Sequence, residues 1–271
     1  MIRAFFTARS GMQAHQENMN LISNNMANVN TVGFKGQRTS FTDLVYQNIN
    51  RPTAENPATI GHGVRINTSD LVMAQGPLSA TNRFLDFALT QPGEFFAVQN
   101  MSGDIQYTRS GNFMLSHHAD GNFFLAAANG DMVLDSDQNP IRIEFEQVQV
   151  HNYVFDSNGD HVLNPDGSRQ YTISYADGPP IIDMDAIGIF RFDNPYGLVL
   201  MGENRFVATD LSGQSSVVEG VRGIRGGSLE GSNVEIATEM VRVIEASRAF
   251  SFNSRMIQVA DEVEQTVNNL R

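Results

Sequence analysis

Residues 232–271 carry the longest uninterrupted alternation of apolar and polar positions in the chain. Neither proline nor glycine occurs among them, and apolar residues recur every three or four positions, which is the spacing of one face of an α-helix. A second apolar face is offset from the first. Ser232 and Glu235 have the spacing of a capping box, so we expect the helix to begin there. The first face contains Phe252, Met256, Val259, Val263, Val267 and Leu270, and the second contains Ile236, Met240, Val243, Phe250 and Ile257.

A matching pattern opens the chain over residues 1–29 and predicts a second helix. Its apolar positions form the a and d positions of four heptads, with His15 as the exception. The two terminal helices are therefore predicted to pair as a coiled coil, with the rest of the chain looped out between them. The first set of positions is Phe5, Met12, Met19 and Met26, and the second is Ala8, His15, Ile22 and Val29.

The middle of the chain has a different texture. From residue 61 to residue 230, short apolar or alternating runs lie between turn signals such as Ser102-Gly103 and Asn129-Gly130. Such spacing is typical of β-hairpins. We therefore expect an α+β protein in which residues 1–30 and 231–271 form a discontinuous helical polymerisation module. Residues 31–60 are expected to form an extended connector, and residues 61–230 an inserted all-β domain that includes the return connector.

A polar, asparagine-rich segment follows the first helix. Asparagine and glycine tolerate left-handed backbone dihedrals and commonly end helices. Gly33 is thus open to two interpretations: it ends the helix, or it lets the connector adopt different shapes in different copies of the chain. The segment's candidate residues are Asn24, Asn25, Asn28, Thr31, Gly33, Phe34, Lys35 and Gly36.

Composition narrows the possible functions. The chain has 271 residues, a net charge of −12, no cysteine and a single lysine, Lys35. This charge argues against nucleic-acid binding, which requires clustered positive charge, and the lack of cysteine removes disulfides and thiolate metal sites. No apolar run is long enough to span a bilayer, and the first residues do not form a cleavable secretory signal.

The sequence gives little indication of a metal site or of a catalytic site. His117 and His118 are adjacent in a predicted strand, so their side chains should point to opposite faces rather than share a metal ion. Asp156, Asn158 and Asp160 imitate the start of a calcium loop, but the glycine and glutamate that such a loop needs later are missing. No paired carboxylate or nucleophile is positioned by the sequence. We therefore expect no catalytic, metal or cofactor site, no cofactor and no enzymatic activity.

Three motifs together resemble the bacterial flagellar rod and hook proteins. The segment Ile22–Lys35 resembles the N-terminal signature of that family, and Leu229–Leu270 resembles its C-terminal motif. The runs at residues 61–64, 75–78 and 107–113 resemble the distal rod members more than the hook. Gln91-Pro92-Gly93 departs from the acidic turn usual in the family, and residues 141–183 depart from its pattern.

The resemblance implies a structural role. Members of this family polymerise helically into the hollow drive shaft that carries torque from the motor to the hook. They leave the cell through the flagellar export apparatus without a cleaved signal. The implied partners are further copies of the chain, other rod and hook proteins, the export apparatus and ring or bushing proteins. The implied location is the basal body outside the cytoplasm, with no nucleic acid bound and no membrane span.

Alternatives remain open at this point. The nearest is a proximal rod or hook–basal-body sibling of the same family. A secreted cell-wall-active β-domain protein that uses the helices only to oligomerise is another, and a phage-like fibre or adhesin is a third, which the paired terminal motifs disfavour. Because two apolar faces exceed what one helical hairpin can bury, we also expect mobile ends in the isolated molecule that become ordered on assembly.

Overall fold

The computed structural model describes residues 2–48, 59–118, 121–153, 171–181, 183–218 and 223–270. Helix α1 spans Ile2–Ala27 and helix α2 spans Ile236–Asn269, and the strands lie between them. The predicted α+β class, with terminal helices that pair and a sheet-rich middle, is confirmed. Since α1 ends and α2 begins beside the same part of the sheet region, the two helices run antiparallel.

Small residues allow the two helices to approach closely. Ala8, Gly11 and Ala14 of α1 are buried, as is Ala246 of α2. A Cβ atom at Gly11 would lie 2.9 Å from Asn253 Nδ2, so a side chain there would have to displace the Asn253 amide. The intramolecular contact therefore uses the small positions of α1 more than its methionines.

A two-stranded sheet packs on α1 beside α2. Strand β1 (Gln37–Asp43) pairs antiparallel with β4 (Val64–Leu71). Asn25 Nδ2 donates to Gln37 O at 2.8 Å, and Gln37 N donates to Asn25 Oδ1 at 3.0 Å, so the end of α1 is bonded to the start of β1. This strand pair crosses the expected boundary between connector and β domain at residue 61. The division into domains at that residue stays a prediction.

An eleven-stranded sheet, the β body, forms the largest unit of the described residues. Its main path runs β13-β12-β10-β11-β7-β8-β16-β15, with β9, β14 and β17 paired off this path. Its strands are β7 (Glu94–Gln99), β8 (Ile105–Thr108), β9 (Met114–His117), β10 (Phe123–Ala126), β11 (Met132–Val133), β12 (Arg142–Tyr153), β13 (Tyr171–Ile181), β14 (Ile189–Phe192), β15 (Val199–Gly202), β16 (Arg205–Val207) and β17 (Ser215–Val217).

Short two-stranded pairs make up the rest of the described strands. Three such pairs occur in the described chain, together with two single-turn 3₁₀ helices at Met184–Ala186 and Pro195–Gly197. The pairs are β2 (Tyr46–Asn48) with β3 (Thr59–Gly61), β5 (Leu78–Ala80) with β19 (Ser228–Glu230), and β6 (Phe87–Leu89) with β18 (Ile224–Gly226).

Strand β7 divides the core of the β body. Because side chains alternate along a strand, Phe96 and Val98 lie in one apolar cluster, whereas Phe95 and Ala97 lie in another on the opposite face. All four side chains are almost fully buried. A strand buried on both faces fixes the register of the sheet strongly, so the β body is a rigid base for the helices.

The predicted capping box at the start of α2 is wrong. The helix begins at Ile236 with Glu235 as its N-cap residue, and no side chain caps it. Ser232 Oγ instead accepts a 3.2 Å hydrogen bond from Val234 N. Residues 232–235 stay outside the helix because Asn233 is bonded to the carbonyls of Val72 and Ala74, which follow β4, and those tertiary contacts outweigh a local cap.

Candidate functional site at the junction of helices and sheet

The segment that leaves α1 and the segment that enters α2 meet in one place beside the β body. The outgoing crossing is residues 31–36, which lead from α1 to β1, and the return crossing is residues 228–234, which lead to α2. Residues 72–77 and Arg109 lie against both of them. We call these segments the junction. Residues 33–36 are all buried, although the sequence predicted an extended connector there.

A buried cluster of three charges forms the centre of the junction. Lys35 Nζ lies 2.7 Å from Glu230 Oε1, and Arg109 Nη2 lies 2.8 Å from Glu230 Oε2. The three side chains are at most 2% exposed. Arg109 Nε adds a 2.9 Å hydrogen bond to the same carboxylate oxygen. One carboxylate therefore joins the outgoing crossing to the β body from its own place on the return crossing.

Backbone groups add further hydrogen bonds to these charges, although Arg109 Nη2 has only its ion-pair contact with Glu230. Lys35 Nζ donates to Ala74 O at 2.8 Å, and Gly76 N donates to Glu230 Oε1 at 2.9 Å. Arg109 Nη1 donates to the carbonyls of Gln91 and Glu94 at 2.8 and 2.7 Å. Burying charges is costly unless they are both paired and hydrogen-bonded, and each of these three meets that condition.

The electrostatics are those of a crowded buried cluster. Burial lowers the pKa of Lys35, while the adjacent Glu230 carboxylate opposes that change. Burial likewise lowers the pKa of Arg109, again opposed by Glu230 and then by Glu94. Two cations share one carboxylate at the centre, so Glu230 carries more of the charge balance than either basic residue does.

Gly33 is required by packing rather than by flexibility. Its φ is +68°, and a Cβ atom there would lie 2.6 Å from the backbone carbon of Arg109 and the backbone nitrogen of Ser110. Its N–H donates to Glu230 O at 2.8 Å. In this molecule Gly33 seats the outgoing crossing on the β body. Whether it also changes shape between copies of the chain stays a prediction.

Asn233 ties the start of α2 to the same place. Its Oδ1 accepts from Gly36 N at 2.8 Å, and its Nδ2 donates to the carbonyls of Val72 and Ala74 at 2.6 and 3.0 Å. On the outgoing crossing, Asn204 Nδ2 donates to Val32 O at 2.8 Å. The junction thus holds both crossings by directional bonds. It presents no reactive group to solvent, so its capacity is to fix geometry.

The predicted seam residues divide into three groups by exposure. The structure buries Ile22 fully, and half-buries the methionines of α1 together with three positions of α2 that face it. The remaining seam residues are exposed. The half-buried group is Met12, Met19, Met26, Val243, Phe250 and Ile257, and the exposed group is Phe5, Ile236, Met240, Phe252, Met256, Val259, Val263, Val267 and Leu270.

The first face of α2 forms a continuous exposed apolar stripe, which comprises Phe252, Met256, Val259, Val263, Val267 and Leu270. Exposed fractions along it range from 40% at Val263 to 83% at Leu270. Large apolar patches of this kind on a soluble chain mark interaction surfaces. That the stripe and the other seam residues assemble copies of the chain stays a prediction.

The remaining candidates give no site. His117 packs on Phe123 and His118 on Phe124, so the two imidazoles lie against different rings, as predicted. Asp156, Asn158 and Asp160 lie outside the described residues. Among the residues that are described, no group of three histidines or carboxylates could hold a metal ion, and neither helix is long and apolar enough to cross a membrane.

Comparison with known proteins covers both crossings of the junction. The model "Flagella basal body rod protein" matches residues 5–35, and "Flagellar basal body rod FlgEFG protein C-terminal" matches residues 225–270. The flagellar basal-body rod protein FlgG of Borreliella burgdorferi is 37% identical, with 100% of this chain and 99% of that protein covered. The chain belongs to the flagellar rod and hook family. FlgG of Bacillus subtilis is 32% identical over the full length of both chains.

The similarity to rod and hook proteins extends into the sheet. The model "Flagellar hook protein FlgE/F/G D1 domain" matches residues 92–160. The expectation that residues 141–183 depart from the family is therefore wrong for residues 141–160. A second Bacillus subtilis relative, the flagellar hook-basal body complex protein FlhP, is 30% identical over the full length of both chains.

Sequence reasoning found only part of the junction in this rod-family chain. It included Lys35 as a motif residue but gave no role to Arg109, Glu230, Asn233 or Asn204. One signal was available: a single lysine between Gly33 and Gly36 in a chain of net charge −12 calls for a specific acidic partner. Which of the many carboxylates it meets depends on chain crossings nearly two hundred residues apart, and only the fold shows that.

Proposed function

We propose that this chain is the distal rod subunit of the bacterial flagellar basal body and polymerises helically into the hollow shaft that carries torque to the hook. The observation that carries the proposal is the exposed apolar stripe of α2, on a chain that is similar over its full length to flagellar rod proteins. A rod subunit needs such a surface because neighbouring subunits must cover it.

The geometry supports a tube with helices inside and sheets outside. The helix pair leaves the apolar stripe and Phe5 uncovered. The β body buries two apolar clusters of its own, and its exposed apolar side chains, such as Met101 and Leu211, lie outside these clusters. Contacts between identical copies that do not close into a ring generate a helical filament. The partners are then further copies of this chain, other rod and hook proteins, and ring proteins around the shaft.

The proposed location and route follow from the same role. The subunit acts in the basal body outside the cytoplasm and reaches it through the flagellar export apparatus, with no cleaved signal. The role requires no catalysis and no cofactor. The charged groups of the junction support this, because they are buried and occupied by one another rather than available to a substrate.

A sibling position in the same axial structure is the second candidate. The full-length similarity to a hook-basal body complex protein favours it, because that relative is 30% identical and the identity to rod relatives runs from 30% to 37%, so the two ranges meet. The two candidates make the same kind of polymer and differ in where they stand along the shaft.

Electron microscopy of isolated basal bodies tests both candidates. An epitope tag inserted after Gly103 lies in an exposed turn of the β body, where Ser102 and Met101 are also exposed. Antibody label on the distal segment of the rod supports the proposal. Label on the proximal segment or on the hook supports the sibling. Unlabelled basal bodies from motile cells that carry only the tagged chain would overturn both.

A further inference from the structure

The junction contains many hydrogen bonds and ion pairs, although apolar contacts are present beside it. Leu71, which precedes the junction residues 72–77, and Met73 within them pack into one apolar cluster of the β body. The three charges nevertheless lie beside them at most 2% exposed. A well-packed apolar replacement of a buried ion pair is often as stable as the pair or more so. Stability alone therefore does not explain the arrangement.

Directional bonds do supply something that apolar contacts lack. An apolar contact tolerates sliding and rotation, but a hydrogen-bonded ion pair holds its partners at one distance and one angle. Lys35 bonds the exit of α1 to the return crossing, and Arg109 bonds that crossing to the β body. Asn233 bonds the entry of α2 to Gly36 and to the strand end at Val72.

We propose that Lys35, Arg109, Glu230 and Asn233 are positioning residues that fix the angle between the helix pair and the β body. They act as a stiff joint rather than as a source of stability. The covalent links between the two units are residues 72–77, which follow β4, and the return crossing, and the junction bonds hold both at the same point. Rotation of the helices about the β body then requires these bonds to break together.

The joint gives the proposed rod subunit a specific mechanical property. In a shaft whose helices line the inside and whose sheets line the outside, twist applied to one layer reaches the other through the junction of every subunit. A stiff joint passes that twist on, and a loose one absorbs it. This consequence rests on the proposed function, whereas the stiffness of the joint in a single molecule does not.

Distance measurement by electron spin resonance tests the joint directly. The chain has no cysteine, so spin labels can be placed at Glu245→Cys on α2 and Ser102→Cys on the β body without other substitutions. Dispersed wild-type protein should give one narrow distance distribution. The variant Lys35→Met with Asn233→Ala should give a distribution broader by about twofold or more, because the side-chain bonds of Lys35 to Glu230 and of Asn233 to Gly36 and Val72 are then lost.

A matched control distinguishes the effect of loosening the joint from the effect of losing any ion pair. Arg191→Met removes the cation that lies 2.7 Å from Glu94 Oε1 within the sheet, and it should leave the distribution as narrow as in the wild type. If the double variant loses folded structure by circular dichroism, Asn233→Ala alone carries the test, because that side chain is only half-buried.

Two results would overturn the proposal. One is a broad distribution in the wild type, and the other is a folded variant as narrow as the control. Because the molecule is measured dispersed, neither result bears on whether the chain builds a rod. Absence of the tagged chain from the basal body would, in turn, leave the distance measurement valid.

Discussion

Glu230 is the residue whose loss should cost the molecule most. Its carboxylate is fully buried and balances both Lys35 and Arg109. Removing one partner of a buried ion pair leaves uncompensated charge, whereas removing a surplus cation leaves a balanced pair. The consequences of changing the acid and the base should therefore be unequal.

Glu230→Gln should lower the free energy of unfolding by about 3–5 kcal/mol, because two buried cations lose their counter-charge. Lys35→Met should lower it by less than about 1 kcal/mol, since Arg109 still pairs with Glu230 and a similar volume is refilled. Ala74 O stays bonded in that variant through Asn233 Nδ2. Urea unfolding followed by circular dichroism measures both.

Glu245→Gln supplies the control for this pair. It makes the same chemical change at an exposed glutamate of α2 and should leave the unfolding midpoint unchanged. Equal losses for Glu230→Gln and Lys35→Met would contradict the charge balance argued for the junction.

His15 should make the stability of the helical module depend on pH. Its ring packs 5.6 Å from that of Phe41, and Nδ1 has no hydrogen-bond partner in the described structure. Burial lowers its pKa below the ordinary value. The unfolded chain therefore binds a proton more readily than the folded one, and stability is lost as the pH falls from about 6.5 towards the folded pKa.

Thermal unfolding of the wild type and of His15→Gln, at pH about 7.5 and about 5.5, checks this prediction. The substitution should reduce the loss of Tm on acidification. His62→Gln, which changes an exposed histidine that bonds to Val45 O, should leave that loss as it is in the wild type. An unchanged acid loss in His15→Gln would rule out the role of His15.

At the scale of elements, the helices are more exposed to solvent than the central strands of the β body. Strand β7 is buried on both faces, whereas residues 261–270 of α2 are all exposed. Gly11 of α1 faces Asn253 of α2. Because the helices are antiparallel, α1 ends before it reaches the C-terminal end of α2, which is left without a partner helix. Much of the apolar surface of α2 lies on this unpaired end.

Hydrogen exchange on verified monomer should follow this difference. Amides of β7 should exchange slowly, those of residues 5–26 and 236–260 faster, and those of residues 261–269 fastest, because exchange tracks local opening. In assembled filaments the helices should become protected. Exchange in the monomer as slow along both helices as in β7 would contradict the expectation of mobile ends that become ordered on assembly. Helices that are formed but open readily satisfy this expectation and still give a narrow spin-label distance to the β body.

At the scale of the whole molecule, we expect copies of the chain to associate, because a single copy leaves apolar surface of α2 exposed. The stripe of α2 lies on the outside of the helix pair, so a single copy leaves it in water. Copies in a helical lattice remove it from water on several sides, and the hydrophobic free energy grows with the area that is buried.

Val263→Asp should therefore abolish or strongly slow filament formation without lowering the Tm of the monomer, because Val263 is 40% exposed in the single chain. A carboxylate buried between subunits without a partner is strongly unfavourable. Gln265→Asp adds the same carboxylate on the opposite side of α2 and should allow filaments to form. Sedimentation and negative-stain microscopy of both variants measure the outcome, and filaments from Val263→Asp would refute the role of the stripe.

The sequence by itself determined the helices and strands, because their apolar residues recur at a regular spacing. Heptad spacing predicted both helices, and turn residues between short apolar runs predicted a hairpin-rich middle, because side-chain direction repeats every 3.6 residues in a helix and every 2 in a strand. The residues of the terminal motifs identified the family. The apolar excess of α2 was also readable, since it exceeds one hairpin's capacity to bury it.

Only the tertiary structure decided which residues from distant parts of the chain are in contact at the junction. Lys35 meets Glu230 across 195 positions, and Arg109 meets the same carboxylate across 121. No local period encodes such pairs. The similarly distant bonds of Asn233 to Val72 and Ala74 moved the start of α2 from Ser232 to Ile236. Tertiary packing also gave Gly33 its role, because the backbone that presses against it belongs to Arg109 and Ser110. A sequence pattern records which face of an element is apolar, whereas a buried ion pair depends on where distant segments cross.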